Sequence, residues 1–252
     1  MISGYTVVWN GNKMDFCWKH TVLSLQQVCD EVVIGYIVGE DDTHLRIKEL
    51  CAKDPRVRCV EFPDPKIPPK GDPWWVINWM NNMRQFLKHP MQLYLDADEV
   101  LTHVPAAHAL IKDIARRRGC AWFRRLNFVK DGHHLIPTGH CIGDGVARLG
   151  PTKFFMPTDE PHPEGEPEIR KRGIHNDSLV IFHYGFIRKT PEFFKKIEVN
   201  NRLWFGQKDK RYDPDKPYDS WWDQCTWKHL IKHWGGEHPP FMHGWLKERK
   251  RL

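Results

Sequence analysis

The chain has 252 residues, of which 40% are hydrophobic and 28% charged, and its formal net charge is +6. A chain of this length buries roughly 70–75% of its extended surface, so a core can form without disulfide or metal staples, and disorder of the whole chain is excluded. No run approaches 18 apolar residues, the start MISGYTVVWNGNK lacks the basic-then-apolar order of a secretory signal, and the seven cysteines are scattered with no C-x-x-C pair. Together these exclude a transmembrane helix and lead us to expect reduced thiols in a cytoplasmic setting.

In chain order, Tyr5–Trp9 is a short apolar run closed by Asn10-Gly11, which reads as a strand entering a loop. Asp15 is placed to cap a helix over about Phe16–Val28. Glu31–Val38 reads as a buried strand, Asp41 or Asp42 as the cap of a helix reaching Ala52, and Val57–Phe62 as a third strand. A helix over about Trp74–Lys88 precedes a fourth strand, Met91–Leu95. This alternation predicts a parallel sheet covered by helices in right-handed crossovers. The segment Phe62–Trp75, FPDPKIPPKGDPWW, is a proline-rich loop at the carboxyl end of a strand, where open α/β sheets take ligands. Its Trp74 and Trp75 either face a ligand there or anchor a rigid connector.

The second half reads as α+β. A helix over Ala106–Arg118 is stopped by Gly119, and Cys120–Val129, Ala147–Gly150 and Leu179–Tyr184 read as strands. Pro151–Arg172 reads as a loop, and Pro191–Trp204 and Tyr218–Trp234 as helices. The expected organisation is a single domain with functional halves at 1–103 and 104–205 and a tryptophan-rich, basic segment at 206–252.

The sharpest chemical signal is LYLDADEVL, Leu93–Leu101, where an apolar strand ends in Asp96-Ala97-Asp98 and Glu99. Alternation along an extended chain points Asp96 and Asp98 to one side. Two carboxylates so placed repel unless a cation lies beside them, and an oxygen set of this kind suits Mg²⁺ or Mn²⁺, which keeps water and phosphate oxygens in its other positions. There is no G-x-x-x-x-G-K-[ST] and no G-x-G-x-x-G, which removes the common phosphate-loop and dinucleotide readings.

With these residues in view, the chain resembles the GT-A glycosyltransferases related to family 2 of the sugar-nucleotide enzymes, over roughly residues 5–205. The resemblance rests on YTVVWNGN, SLQQVCDEVVIGYIVGEDDT, LYLDADEVL and FHYGFIRKTPEFFKK, in that order. It implies a Rossmann-like mixed sheet with flanking helices and an α+β acceptor half. It also implies a nucleotide-sugar co-substrate, a UDP-sugar in the first place, and transfer to an acceptor hydroxyl, with inversion as the expected outcome. Asp96 would meet ribose or metal and Asp98 the metal, with His183 of the HYG segment as a further ligand. As a lone histidine in an apolar strand, His183 otherwise reads as a satisfied core residue. Trp9, Asn10, Tyr36, Asp41, Arg84 and Lys195 fall on the donor side. Asp41 stands where the family carries an acid near the base, whereas the family's earlier acid is replaced here by Tyr36 or its neighbour.

An inverting transfer also needs a carboxylate base on the acceptor side. Asp159 is the first choice, with Glu160 beside it and Asp177 and Asp144 in reserve; a retaining enzyme needs none. His229 and His233, spaced i, i+4 on an expected helix, lack the Glu of H-E-x-x-H and read as helix surface, and His133-His134 reads as a turn.

The acceptor is read from charge and aromatics. Arg116–Arg118, Arg124, Arg125, Arg170–Arg172 and the tail from Lys247 to Arg251 either solvate the surface or meet an anionic partner. Twelve tryptophans exceed what the core requires. Trp74, Trp75, Trp122, Trp221 and Trp222 could stack on an extruded base or on sugars, with Trp74, Trp75, Arg124 and Arg125 placed at the acceptor. The expectation is a 5-hydroxymethylpyrimidine in DNA, as in bacteriophage DNA glycosyltransferases, with a lipopolysaccharide or other glycan acceptor as the alternative. The rivals from other classes are a nucleic-acid-binding module and a metal-dependent nucleotidyltransferase.

Overall fold

The computed structural model describes residues 1–63, 74–136, 146–153, 172–187, 192 and 231–249, with 74–77 described as backbone only. The first half builds β1 (Ile2–Val8), α1 (Trp18–Gln26), β2 (Glu31–Ile37), α2 (Thr43–Lys53), β3 (Val57–Phe62), α3 (Trp74–Asn82), a 3₁₀ turn (Met83–Phe86) and β4 (Met91–Tyr94). Then come β5 (Glu99–Leu101), α4 (Pro105–Arg116), β6 (Cys120–Val129), β7 (His134–Ile136), β8 (Val146–Pro151), β9 (Gly173–His183) and β10 (Lys232–His233). A 3₁₀ turn (Pro240–Met242) and α5 (His243–Glu248) follow. No helix among the described residues is long and apolar enough to cross a membrane.

These strands form one sheet in the order β10-β7-β6-β8-β4-β1-β2-β3, with β9 pairing β5 and β6. Strands β3, β2, β1 and β4 run parallel, β8 is antiparallel to β4, and β6 is antiparallel to β8. This is the mixed α/β sheet expected of a GT-A-like fold, and the sheet runs through both halves of the sequence. The parallel strands are apolar on both faces because both are covered. Ile2, Val8, Val32, Ile34 and Leu93 pack with α1 and α4 through Val22, Leu25 and Ile111. Tyr5, Val7, Val33 and Tyr94 pack on the other face with Trp79, Met80 and Met83. A third cluster docks Met242, Trp245 and Leu246 on Val100, Phe128 and Phe182.

Several element ends differ from expectation. Asp15 does not cap α1: it sits at φ 53°, its carboxylate is bound by Arg249, and the N-cap position falls to Cys17 without a side-chain bond. Asp42 holds the N-cap position of α2 but makes no side-chain cap bond, while Asp41 Oδ1 accepts the Thr43 N–H at 3.0 Å. The helix expected to run to Lys88 tightens into the 3₁₀ turn after Asn82. Helix α4 ends with Arg118, not Gly119, in the left-handed conformation (φ 54°). Lys232–His233 is a strand, paired antiparallel with His134 and Leu135, so the helix expected over 218–234 does not reach its end. His233 is therefore stacked 6.2 Å from the His133 ring and not on a helix with His229, which lies outside the described residues. The helix expected over 191–204 also lies outside them, apart from Glu192.

Candidate functional site

At the carboxyl edge of the parallel strands, the loops after β1 and β2 are laced together. Asn10 adopts a left-handed conformation (φ 50°), and its Oδ1 accepts the Glu40 N–H at 2.8 Å. Only glycine admits that side chain at position 39, since a Cβ there would overlap Asn10 Oδ1. Asp41 Oδ2 accepts the Lys13 N–H at 2.6 Å, and the Asn12 N–H donates to Thr43 Oγ1 at 2.9 Å. Asn10 and Asp41 thus shape the edge through backbone groups. Tyr36 is buried in β2, and its hydroxyl donates to Glu61 Oε2 at 2.7 Å.

Strand β4 ends at this edge and turns through Asp96-Ala97-Asp98 directly into β5. The Glu99 N–H donates to the Asp96 carbonyl at 2.9 Å, which closes the turn, and the Asp96 N–H donates to Glu99 Oε2 at 3.0 Å. Antiparallel pairing then sets Glu99 opposite His183, and the Tyr184 N–H donates to the Asp98 carbonyl at 2.8 Å. Backbone register therefore brings the acidic turn to the HYG segment. The His183 Nε2 lies 3.5 Å from Asp98 Oδ1, with both side chains less than a tenth exposed.

Beneath the turn is a buried charge network. Glu99 is fully buried, and its Oε1 accepts from Arg125 Nη1 at 3.2 Å and Arg148 Nη2 at 3.1 Å. Arg148 Nη2 also donates to Asp96 Oδ2 at 2.9 Å, and its guanidinium lies 5.0 Å from the centre of the Tyr94 ring. The Tyr94 hydroxyl donates to Asp96 Oδ1. Buried ions persist only when paired and hydrogen-bonded, and here two arginines face two carboxylates. Burial pushes the Glu99 carboxyl up, but Arg148 and then Arg125 and His183 more than offset it, holding the group well below the usual carboxylate range.

The network separates the roles of the two aspartates. Asp96 keeps about a third of its side chain exposed, and its two oxygens are met by Tyr94 and Arg148. Asp98 is buried and faces His183. Among the described residues no three His, Cys, Asp or Glu side chains converge on one ion. The chemistry of Asp98 and His183, a carboxylate and an imidazole, is that of ligands a hard divalent cation accepts, while the Asp96 oxygens are engaged by Tyr94 and Arg148.

The remaining sequence-predicted residues scatter. Arg84 is half-buried, its guanidinium donating to the carbonyls of Asn81 at 3.0 Å and Lys153 at 3.3 Å. Trp9 is half-buried against the Tyr5–Trp79 cluster. Arg124 is exposed, whereas Arg125, one residue along the same strand, is a core residue and not part of an acceptor-facing basic surface. Trp122 stacks on His175 at 5.1 Å. Asp177 is exposed on β9. Asp144, Asp159, Glu160, Lys195, Trp221, Trp222 and the side chains of Trp74 and Trp75 lie outside the described residues. Sequence reading gave no site role to Glu99, Arg148 or Asn127. The usable signal for Arg148 is an arginine flanked by Ala147 and Leu149 in an apolar strand.

Fold and site together define a mixed-sheet α/β protein with an acidic turn at the carboxyl edge of its parallel strands. No protein-family model and no curated protein matches the chain. Among solved structures it is similar to TarS of S. aureus, with a TM-score of 0.45 and 11% identity, covering 88% of this chain and 41% of that one. It is also similar to TarS 1–349 in complex with UDP-GlcNAc, with a TM-score of 0.44 and 11% identity, covering 88% and 69%. A third is a Bacillus anthracis protein described as a glucose-1-phosphate thymidylyltransferase, in complex with a sucrose, with a TM-score of 0.44 and 12% identity, covering 73% and 90%.

Proposed function

We propose that the chain is a glycosyltransferase that moves a sugar from a nucleotide-sugar donor, a UDP-sugar in the first place, to an acceptor hydroxyl. The observation that carries this reading is the Asp98–His183 pair, 3.5 Å apart, at the end of the fourth parallel strand. In this reading Asp98 and His183 hold Mn²⁺ or Mg²⁺, which, when bound, neutralises charge on the departing nucleoside diphosphate. Asp96, fixed by Arg148 and Tyr94 and still partly exposed, accepts a hydrogen bond from the donor ribose. The laced loops with Trp9, Asn10 and Asp41 wall the nucleotide end, with Arg84 and Lys195 on the donor side. Asp159 or Glu160 takes the proton of the attacking hydroxyl if the transfer inverts. Residues 1–103 then serve the donor and 104–205 the acceptor, with 206–252 as a further tryptophan-rich, basic segment.

The basic residues set against a DNA backbone are divided by the fold. Arg125 and Arg249 are buried, and Arg116–Arg118 lie at the opposite edge of the sheet. Arg124 is exposed, and with Trp74 and Trp75 it keeps the acceptor role in this reading. We therefore keep 5-hydroxymethylpyrimidine DNA and a glycan as two arms of one assay. Nucleoside diphosphate release is measured from a panel of sugar nucleotides with Mn²⁺ or Mg²⁺, with plain DNA, hydroxymethylated DNA, glycan acceptors or none. Release that disappears in Asp98→Asn supports the proposal, and the stimulating acceptor assigns the substrate. Pyrophosphate release in its place would make the protein a nucleotidyltransferase. No release from any donor together with no metal binding would overturn the enzyme reading in favour of a binding module.

A further inference from the structure

At the amino-terminal edge of β1 and β4, a cleft of about 710 Å³ opens between the carboxyl ends of α1 and α4. Met91, the first residue of β4, lines it, and Asp96 lies five residues further on, just past the end of that strand at Tyr94, so the cleft is about 16 Å from the acidic turn at ~3.3 Å per residue. Its floor is apolar, formed by Ile2, Val28 and Met91, none more than 3% exposed. Its rim is cationic, carrying Arg56, Lys112, Arg116 and Arg118. The acid that lines it is Asp30, whose Oδ2 accepts the Ile2 N–H at 2.6 Å. Arg56 pairs with Asp54 at 3.0 Å and Arg116 with Asp113 at 2.6 Å. Lys112 and Arg118 make no ion pair with any described residue.

Arg118 carries a second mark. Its N–H donates to the Ala115 carbonyl at 3.0 Å, and the Gly119 N–H donates to the Ile114 carbonyl at 2.9 Å. This is the Schellman ending of α4, with Arg118 in the left-handed position that glycine ordinarily fills. An L side chain there is strained, and the strain is kept at the rim of a charged cleft.

We propose that this cleft binds a small phosphate-bearing anion, its phosphoryl oxygens against Lys112 and Arg118 and its less polar part over the Ile2–Met91 floor. The volume falls in the range of small-molecule sites, and the charge of the rim selects the anion. The site is separate from the acidic turn and does not depend on the activity proposed for it. The competing account is that basic residues here only complement the partial negative charge at the helix ends.

Titration calorimetry of the whole chain with inorganic pyrophosphate, in the presence of a chelator, tests the proposal. We expect saturable binding that weakens at least tenfold in Lys112→Gln and in Arg118→Gly and is unchanged in Asp98→Asn. Arg118→Gly should melt no lower than the parent, because glycine relieves the left-handed backbone while removing the cation. No saturable binding, or equal affinity in Lys112→Gln and Arg118→Gly, overturns the proposal. A single-stranded oligonucleotide that binds far more tightly than pyrophosphate, with a steep salt dependence lost in the same variants, would also overturn it in favour of a nucleic-acid surface.

Discussion

Asn127 sets the face that His183 turns toward the acidic turn: its Oδ1 lies 2.7 Å from His183 Nδ1, and both side chains are buried. The two residues are partners in the parallel register of β6 and β9. An amide oxygen only accepts, so Nδ1 carries the proton and donates, and Nε2 is the nitrogen that faces Asp98 Oδ1 at 3.5 Å. A lone pair set against a carboxylate is repulsive until a proton or a cation lies between them. We expect Asn127→Leu to lower Mn²⁺ affinity about 10- to 100-fold, as loss of an orienting partner does at metal histidines. Asn127→Asp, which keeps the acceptor, should retain most of it. Manganese titration followed by electron paramagnetic resonance checks this, and unchanged affinity in Asn127→Leu would remove His183 from the ligand set.

Glu99→Gln should be among the most damaging single changes. It leaves Arg125 and Arg148, each 1% exposed, facing a neutral amide. Breaking a buried ion network from one side costs about 3–5 kcal/mol, which for a chain of this size is on the order of 10 °C in melting midpoint. The folded-state pKa of Glu99 lies below its ordinary value of 4.5, so its contribution is complete above that value and is lost as pH falls through the depressed one. The stability gap between parent and variant should therefore be widest near neutral pH and narrow below about pH 4, which urea unfolding at pH 7 and pH 3.5 measures.

The parallel half was legible because apolar strands punctuated by Asn-Gly, Asp-Asp and Pro leave few alternatives. The acidic turn was legible because carboxylates directly after a buried strand have few cheap explanations. The partners of that turn were not. Arg125 follows Arg124 in the sequence, and only the pleat, which sends one side chain to solvent and the next inward, distinguishes an exposed arginine from a buried one. Asn127 and Arg148 come from strands distant in sequence, and their relevance depends on register. At Arg118 the local rule favoured Gly119 as the left-handed residue, and hydrogen bonding to Ile114 and Ala115 put it one place earlier.

Acid should weaken the fold through His238 well before the carboxylates titrate. The ring is 4% exposed, its Nδ1 accepts from the Tyr184 hydroxyl at 2.8 Å, and its Nε2 donates to the Gly132 carbonyl at 2.7 Å. Burial pushes its pKa down to about 4, with the Gly132 carbonyl pulling partly the other way. The unfolded chain binds this proton near pH 6.5 and the folded one near 4, so the contribution is complete above 6.5 and lost as pH falls between them. At ~1.4 kcal/mol per unit the loss is on the order of 3 kcal/mol. His20, also pushed down to about 4 by burial, adds in the same direction. His238→Gln should cost stability at pH 7.5 yet flatten the decline between pH 7.5 and 5. A decline equally steep in the variant would assign it to other groups.

The last turn of the described chain is tied to the loop after β1 by one charge pair. Arg249 is 7% exposed on its side chain, and its Nε donates to Asp15 Oδ2 at 2.9 Å, while its guanidinium lies 3.9 Å from the centre of the Trp245 ring. Asp15→Ala removes the buried counter-charge and leaves the guanidinium over an indole with only the exposed Glu248 carboxylate at 3.5 Å, a change worth about 3–5 kcal/mol when nothing relaxes. Relaxation is available, because α5 can undock and expose Arg249 without disturbing the parallel strands. Hydrogen exchange should therefore show amides of 240–249 losing protection while β1, β2 and β4 keep theirs. Asp15→Leu combined with Arg249→Met should recover most of the loss, since an apolar pair of similar volume replaces a buried ion pair at little cost. Equal protection of α5 in the parent and in Asp15→Ala would mean that Trp245, Leu246 and Met242 hold the segment by packing alone.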